Sequence, residues 1–217
     1  MIAGVSVEVG SEAVVVRSRA PLRVLSSAVH HGGFARARAV VNLHVRKHDP
    51  CADPTGMIEA FARRAGTPAP WVGLLTGANT ERAVQAEESA NGVHALAVVT
   101  VGLSNPVAAG LSPVATWVAS TINTIVVVDA DPEPAALVNA VITATEVKGL
   151  LLREAGLLAD GGYAATGTST DAVVIAATGR GPVARFGGPA SEMGWAVARA
   201  VRVALGRAIT DWQERHR

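Results

Sequence analysis

A segment rich in hydroxyl groups in the C-terminal third of the chain has residue types suited to chemistry. Thr166-Gly167-Thr168-Ser169-Thr170-Asp171 places four hydroxyls and one carboxylate in six residues, directly before an apolar run. A hydroxyl here could attack an acyl carbon or bind an amide, and Asp171 could act as a general base or orient a partner. If the segment is extended, Thr168 and Thr170 face away from Ser169 and Asp171. The alternative is a hydrogen-bonded loop without a catalytic role, although a turn needs fewer polar groups than this.

A lysine on an apolar helix face is the second candidate. The pattern predicts a helix from Pro134 to Ala155, and at about 100° per residue Lys148 falls among apolar side chains while Glu146 lies opposite. These apolar residues are Leu137, Val141, Leu152 and Ala155. A lysine is almost never fully buried without a partner. Either Lys148 snorkels from the edge of the stripe, or it pairs with Asp171 in one pocket, where it would stabilise an oxyanion and Asp171 would activate water.

Asparagines occupy or end three of the apolar runs, at Asn42, Asn105 and Asn123. A buried amide must be satisfied, and a structural hydrogen bond to a neighbouring loop is the commoner explanation. The alternative is that these amides, with nearby threonines, bind a ligand that itself carries amides.

The histidines suggest two further sites. His30 and His31 precede the turn glycines Gly32 and Gly33, where backbone can approach a ligand closely, so His31 is a catalytic candidate. His44, His48 and Cys51 have the spacing of metal ligands on a helix. That stretch reads as a strand instead, and four residues of a strand span about 13 Å, so no metal site is expected there.

The elements that must position these residues read mainly as strands in the first half of the chain and as alternating strands and helices later. Strands are predicted at Val5–Val9, Ala13–Arg17, Leu22–Val29, Ala37–Val45, Val72–Thr76, Ala95–Val101, Ile122–Asp129 and Asp171–Thr178. Helices are predicted at Pro54–Ala65 with Thr55 as N-cap, at Pro134–Ala155 and at about Ser191–Glu214. The expected fold is α/β (α+β), a single layered domain over residues 1–217 with a mixed β-sheet core packed by helices.

Composition excludes several classes of protein. The 19 basic and 18 acidic residues leave a net charge of +1, which lacks the basic footprint of a nucleic-acid binder. The single cysteine cannot form an internal disulfide, so a cytoplasmic protein is expected. The uncharged stretch from Ser89 to Val128 is interrupted by glycine, proline and asparagine, which argues against a membrane span.

The polar motifs at the ends of these runs occur in a fixed order. They are Ser26-Ser27-Ala28-Val29-His30-His31-Gly32-Gly33, Val41-Asn42-Leu43-His44-Val45, Gly73-Leu74-Leu75-Thr76, Thr100-Val101-Gly102-Leu103-Ser104-Asn105, Thr121-Ile122-Asn123-Thr124-Ile125, Thr143-Ala144-Thr145-Glu146-Val147-Lys148 and Ala165-Thr166-Gly167-Thr168-Ser169-Thr170-Asp171-Ala172-Val173. Together they resemble the adenosylcobinamide amidohydrolases of prokaryotic corrinoid salvage, from about Leu25 to the C-terminal helix. The chain departs from the family pattern at four positions, namely His31, Pro106, Ser120 and Val147.

The resemblance implies hydrolysis of the amide that links aminopropanol to a propionate side chain of the corrin ring, giving adenosylcobyric acid. The catalytic candidates are Lys148, Asp171, Glu146 and His31. A corrin ring is rimmed with amides, so the substrate-binding candidates are Gly32, Gly33, Asn42, Thr76, Asn105, Asn123, Thr145, Thr166, Thr168 and Thr170.

The expected partner is the small corrinoid substrate, with no separate cofactor, no nucleic acid and no membrane, and a homodimer is plausible. Two alternatives stay open. One is an autoprocessing acyl transferase or peptidase that uses a threonine of Thr166–Thr170, and the other is a corrinoid-binding protein without turnover.

Overall fold

The computed structural model describes residues 2–46, 51–114 and 120–216. The strands are β1 (Val5–Val9), β2 (Ala13–Ser26), β3 (Gly33–His44), β4 (Trp71–Thr76), β5 (Val84–Ala90), β6 (Val93–Val101), β7 (Pro106–Val107), β8 (Ile122–Asp129), β9 (Asp131–Pro132), β10 (Gly167–Thr168), β11 (Ala172–Ala177) and β12 (Val183–Ala184). The helices are α1 (Pro54–Arg64), α2 (Pro134–Glu154) and α3 (Glu192–Arg215).

Eight strands form one mixed sheet, in the order β4-β3-β2-β11-β8-β6-β5, with β1 also paired to β2. Neighbours are antiparallel except at β3–β4 and β8–β11, which are parallel. The pairing of β2 with β3 shifts register between Arg17 and Leu22. On the other edge of β2, the residues before this bulge pair with β1 and those after it pair with β11. The irregularity therefore divides the sheet into two halves that share β2.

Three apolar clusters show that the halves face each other between two layers of helix. The cluster between the halves joins Val40 and Leu74 to Val98, Ile125 and Val174. A second cluster packs the far face of β6, β8 and β11 against α2 and α3, and a third packs β2, β3 and β4 against α1. Strand residues alternate between these clusters, as the period of two requires. The layer order is helix, sheet, sheet, helix, and the mixed α/β fold predicted from sequence is confirmed.

The helix ends follow local chemistry. In α1 the side chain of Asp53 accepts a hydrogen bond from the backbone N–H of Gly56, so Asp53 is the N-cap and the prediction of Thr55 is wrong. Helix α2 begins at Pro134, as predicted, because a proline loses no helical hydrogen bond in the first turn. Ser191 caps α3 through the backbone N–H of Gly194.

Two elements differ from the predictions for a physical reason. The predicted strands Ala13–Arg17 and Leu22–Val29 are one long strand, β2, because Ser18–Pro21 between them form the bulge rather than a turn. Strand β5 was not predicted, since its sequence VQAEESA is mostly polar. As an edge strand with an exposed face it has little need of apolar residues, and charged side chains protect such an edge.

Helix α2 is buried on one face only. Its buried residues are Ala136, Leu137, Ala140, Thr143, Ala144, Leu151 and Leu152. The apolar stripe predicted from sequence is centred on larger side chains than the face that the structure buries. The helix packs mainly through small residues, and Val141 is only half-buried. By length and composition α2 is the one described helix that could cross a membrane, with a mean hydropathy of 1.5 in its most apolar window, of which 39% is buried.

Candidate active site

The motif segments from distant parts of the sequence meet at one end of the two sheet halves. A buried group of neutral side chains, which we call the amide cluster, joins Asn42 on β3, Thr100 on β6 and Asn123 on β8. Asn42 Nδ2 donates to Thr100 Oγ1 at 3.0 Å, and Asn123 Nδ2 donates to Asn42 Oδ1 at 2.8 Å. Asn123 Nδ2 also donates to the carbonyl of Leu75 on β4, at 2.8 Å. The cluster therefore links four strands across the space between the halves.

The two asparagines are turned toward each other rather than toward solvent. Each is about 1% exposed. Their carboxamides bond to one another and to protein groups, which matches the structural alternative raised for them from sequence. Their predicted role as direct ligands of the substrate stays untested.

A cavity of about 300 Å³ opens beside the amide cluster, and we call it the mouth cavity. Its lining is apolar with three hydroxyls and consists of Val29, Val45, Cys51, Pro54, Leu75, Thr76, Gly77, Thr121 and Thr170. Thr76 Oγ1 accepts a hydrogen bond from Ala78 N at 3.0 Å, and its own proton reaches no acceptor within residues 2–46, 51–114 and 120–216. Thr121 Oγ1 donates to the carbonyl of Thr170 at 2.8 Å. An apolar cavity with a few convergent polar groups is the usual form of a small-molecule site.

Lys148 and Asp171 meet on the opposite face of the same strands, between the sheet and α2. Lys148 Nζ donates to Asp171 Oδ2 at 2.5 Å, and their side chains are 11% and 9% exposed. The pairing predicted from the apolar stripe is confirmed. With Thr168, whose Oγ1 donates to Asp171 Oδ1 at 2.5 Å, they form what we call the charged cluster.

Asp171 is saturated with donors. Besides Nζ and the threonine hydroxyl, its carboxylate accepts from the backbone N–H of Ile122 at 2.9 Å and of Thr168 at 3.0 Å. A carboxylate offers about four acceptor positions, so all are occupied. A Cβ on Gly167 would press on both Asp171 and Lys148, which explains the glycine at this position.

The hydroxyl-rich segment turns instead of running straight. Residues 169 and 170 form a turn after β10, so Thr168 lies on the same side as Asp171, against the alternation expected for an extended segment. Thr166 is exposed and its Oγ1 accepts from Ala109 N at 3.0 Å. Asn105 Nδ2 donates to Ser169 Oγ at 2.7 Å, which ties the loop before β7 to this turn.

A second, more polar cavity of about 210 Å³ adjoins the mouth cavity and shares Gly77 with it. It is bordered by Asn79, Arg82, Ser104 and Ser120 and by the end of α3. Ser104 Oγ donates to Ser120 Oγ at 2.8 Å. This end of the molecule thus presents an apolar recess beside a polar one.

The predicted His31-Gly32-Gly33 turn lies at the edge strand β4. His30 exchanges two backbone hydrogen bonds with Gly73, and His31 Nδ1 lies 3.0 Å from the carbonyl of Trp71, which requires a proton on Nδ1. His31 is exposed and has a positive φ of 54°, and Gly33 follows with φ 81°. A Cβ on Gly32 would collide with the carbonyl of Ala28, so the turn needs that glycine.

His30 is the buried member of the histidine pair. Its ring stacks on Trp71 with centroids 4.2 Å apart, and its Nε2 has no partner among the described residues. Burial is the main cause that lowers the pKa of His30, the charge of His31 lowers it further, and Glu59 opposes both. These histidines border a separate cavity of about 400 Å³ near α1, while Val29 of the same loop lines the mouth cavity.

Two other candidates point away from this end of the sheet. Glu146 is exposed on the outer face of α2 and makes no hydrogen bond or ion pair within the described part of the chain. Thr145 is also exposed, and its hydroxyl donates to the carbonyl of Val141 in its own helix. Their positions give no support to the roles suggested for them.

The metal alternative can be followed only in part. His44 Nδ1 lies 2.9 Å from the carbonyl of Ala78, and Cys51 is buried, while His48 lies outside the described residues. Among residues 2–46, 51–114 and 120–216, no group of three or more histidine, cysteine or acidic side chains is arranged to hold a metal ion.

Sequence reasoning missed two hydroxyls that shape the site. Thr100 completes the amide cluster and Thr121 lines the mouth cavity. Both lie inside the polar motifs. Thr100 is two residues from Val98 and Thr121 is four residues from Ile125, and both of these neighbours face the space between the sheet halves. Because residues an even number apart on a strand face the same side, this spacing could have predicted that both hydroxyls point inward.

Two solved structures share this fold at low sequence identity. They are a Burkholderia sp. beta-aminopeptidase, with TM-score 0.51, 14% identity and coverage of 92% of this chain and 79% of that one, and the PH0078 protein from Pyrococcus horikoshii OT3, with TM-score 0.51, 13% identity and coverage of 96% and 79%. At such identity the likeness concerns the fold alone.

Sequence comparison is more specific. A protein named adenosylcobinamide amidohydrolase from Methanosarcina mazei is 33% identical over 180 residues, which cover 79% of this chain and 82% of that protein. The model of the adenosylcobinamide amidohydrolase family, CbiZ, matches residues 2–217. The chain therefore belongs to the adenosylcobinamide amidohydrolase family.

Proposed function

We propose that this chain hydrolyses the aminopropanol amide of adenosylcobinamide at the mouth cavity, giving adenosylcobyric acid in the cytoplasm. The observation that carries the proposed location is the convergence of the family motifs on one end of the two sheet halves. The amide cluster joins β3, β4, β6 and β8 there, and the hydrogen bond from Thr121 to the carbonyl of Thr170 brings the turn after β10 to the same end. Membership in the family supports the reaction, and a fold whose single cysteine forms no internal disulfide supports the compartment.

The size and lining of the cavity favour partial entry of the substrate. A volume of about 300 Å³ suits a side arm of the corrin ring and its amide rather than the whole macrocycle. The apolar residues, such as Val29 and Leu75, would receive the carbon chain. The ring with its other amides would then lie against the rim, near Asn105 and the adjoining polar cavity.

Thr76 is the hydroxyl best placed to polarise the scissile carbonyl. Its oxygen already accepts from Ala78 N, so its proton is directed to another acceptor, and it lines the cavity. Donation to the developing oxyanion is the interaction that an amidohydrolase needs most at the transition state. We therefore assign Thr76 the role of an oxyanion donor.

The charged cluster would act by positioning. Asp171 has no acceptor position left for a water molecule, which disfavours its use as the general base in this arrangement. Its hydrogen bonds instead fix the start of β8 and the turn that carries Thr170 into the cavity. Lys148 keeps this buried carboxylate neutralised and so holds the turn in place.

The test is incubation of purified protein with adenosylcobinamide and analysis of products by mass spectrometry. Adenosylcobyric acid and free aminopropanol are expected in equal amounts. Recovery of unchanged substrate from a tight complex would instead indicate a binding protein, and a chain shortened on storage would indicate autoprocessing.

The variant Thr76→Val tests the assignment of the donor. It keeps the shape of the side chain and removes one hydroxyl, and turnover is expected to fall by about 100-fold. Thr210→Val, an exposed threonine on α3, is the matched control and should turn over at the parent rate. Parent-like turnover by Thr76→Val would contradict the oxyanion role while leaving the reaction itself intact.

A further inference from the structure

The outer face of α2 is unusually apolar for a helix exposed to solvent. Val138, Ile142 and Leu150 are 43%, 50% and 49% exposed, and only 39% of the most apolar window of the helix is buried. A surface helix normally carries polar residues on its outer face, and a helix that is apolar all round is normally covered on all sides. Something of apolar character is therefore expected to cover this face.

Two opposite charges lie on the same face of α2. Glu146 and Arg153 are both exposed, and neither makes an ion pair within the described ranges. They are seven residues apart, which is two turns, so they lie on one side of the helix about 10.5 Å apart along its axis. Between them lies Gly149, where a Cβ would meet nothing within 4 Å.

This pattern is self-complementary under a twofold rotation. If two copies of α2 cross antiparallel with the axis at Gly149 and Leu150, each Glu146 faces Arg153 of the partner subunit, and the same contact repeats on the other side of the axis. The glycine at the crossing lets the two helices approach closely. A membrane surface would not require an acidic and a basic side chain at matching distances from one point.

We propose that the outer face of α2 is the interface of a twofold homodimer, with a second copy of this chain as its occupant. The helix is about 32 Å long. The hairpin that follows it extends the apolar surface with Leu158 and Tyr163, which are 57% and 46% exposed. This extension matters because a stable interface buries more than about 1,000 Å² in total.

The dimer would also support the candidate active site. Lys148 of the charged cluster lies at the edge of the buried face of α2, and the partner would cover the opposite face of the same helix. The oligomeric state can be measured independently of the reaction assigned to the chain.

Reciprocal charge exchange tests the proposal. The parent should have about twice the mass of one chain in size-exclusion chromatography with light scattering. Glu146→Arg and Arg153→Glu, each made alone, should raise the dimer Kd by at least about tenfold, because the symmetry repeats each repulsion twice. The double variant Glu146→Arg/Arg153→Glu should restore the dimer. Circular dichroism confirms that each variant is folded.

Three outcomes would overturn the proposal. One is a parent that stays monomeric at every concentration measured, and another is a dimer that neither single variant weakens. The third is a parent monomer that floats with phosphatidylcholine vesicles, which would assign the face to a lipid surface. If the charge variants alone fail to fold, Ile142→Asp provides a second disruption of the same face.

Discussion

The amide cluster and the charged cluster occupy the two faces of the same strands and solve the problem of burying polar groups differently. On the face between the sheet halves, Asn42 and Asn123 satisfy each other and gather strands that are not neighbours in the sheet. On the helix side, Asp171 is satisfied mostly by backbone and by a threonine three residues away. The first cluster therefore fixes the distance between layers, and the second fixes the path of one turn.

The two clusters are connected at a single point of β8. The side chain of Asn123 belongs to the amide cluster, while the backbone N–H of the preceding residue, Ile122, donates to Asp171. The dipeptide Ile122-Asn123 therefore contributes a hydrogen-bond donor to each cluster, one from the backbone and one from a side chain. If a substitution in one cluster leaves the other cluster unchanged, the two clusters are energetically independent. If it also disturbs the other cluster, the two are coupled through this dipeptide.

The largest expected effect is that of Lys148→Met. Removing the cation leaves Asp171 buried with an uncompensated charge, and the free energy of unfolding should fall by about 3 kcal/mol. Turnover, measured where circular dichroism shows the variant folded, should fall by about 100-fold because the turn carrying Thr170 loses its position. Chemical denaturation and the product assay give the two numbers.

Two further variants make this result specific. Lys148→Met/Asp171→Asn removes both charges and should regain part of the stability, since the buried unpaired charge is gone. Arg202→Met breaks an ion pair with Glu154 that is exposed at the surface, and it should change stability by less than about 1 kcal/mol. Equal losses from the buried and the exposed pair would contradict a special role for the charged cluster.

A smaller effect is expected in the amide cluster. Asn123→Ala leaves Asn42 Oδ1 and the carbonyl of Leu75 without their donor, which should cost about 2 kcal/mol of stability. In a double-mutant cycle with Asn42→Ala the two losses should be less than additive, because each variant breaks the same bond. Strict additivity would mean that the two side chains stabilise the fold independently.

A pH-dependent effect is expected at the histidine turn. The pKa of His30 is lowered mainly by burial, so the unfolded chain binds the proton more tightly. Stability should therefore fall as the pH decreases below about 6.5, the unperturbed value, and level off below the folded-state pKa. His30→Phe keeps a ring against Trp71 and should remove this component, whereas His94→Gln, at an exposed position on β6, should keep it. Urea titrations at several pH values measure the difference.

Much of this architecture could be predicted from local patterns. Apolar runs predicted β4, β6, β8 and β11 nearly to their ends, and proline at the start with Gly156 after the end predicted α2. The Lys148–Asp171 pair was predictable because a cation on an apolar face needs an acceptor, and the chain offers a carboxylate at the start of a buried strand.

The remaining features depend on contacts between distant residues. Nothing local shows that Asn42 faces Asn123, because their strands are not neighbours in the sheet and meet only when it folds into two halves. The turn at residues 169 and 170 is likewise fixed by Asp171 and its four donors, and not by the propensities of serine and threonine. The helical wheel places Glu146 correctly, opposite the buried face of α2, but the angle between residues does not show whether a ligand reaches that face.

The bulge in β2 has a consequence for the order in which the chain can fold. Residues Arg23–Ser26, beyond the bulge, find their second neighbour only in Val174–Ala177 of β11, which is synthesised long after β2. Until then an apolar strand edge stands open on the ribosome, the situation in which nascent proteins aggregate or recruit chaperones. Pairing of such high sequence separation also slows folding. The yield of folded protein should therefore depend on how long the edge of β2 stays unpaired before β11 is made. Expression at low temperature, which slows aggregation, should raise that yield.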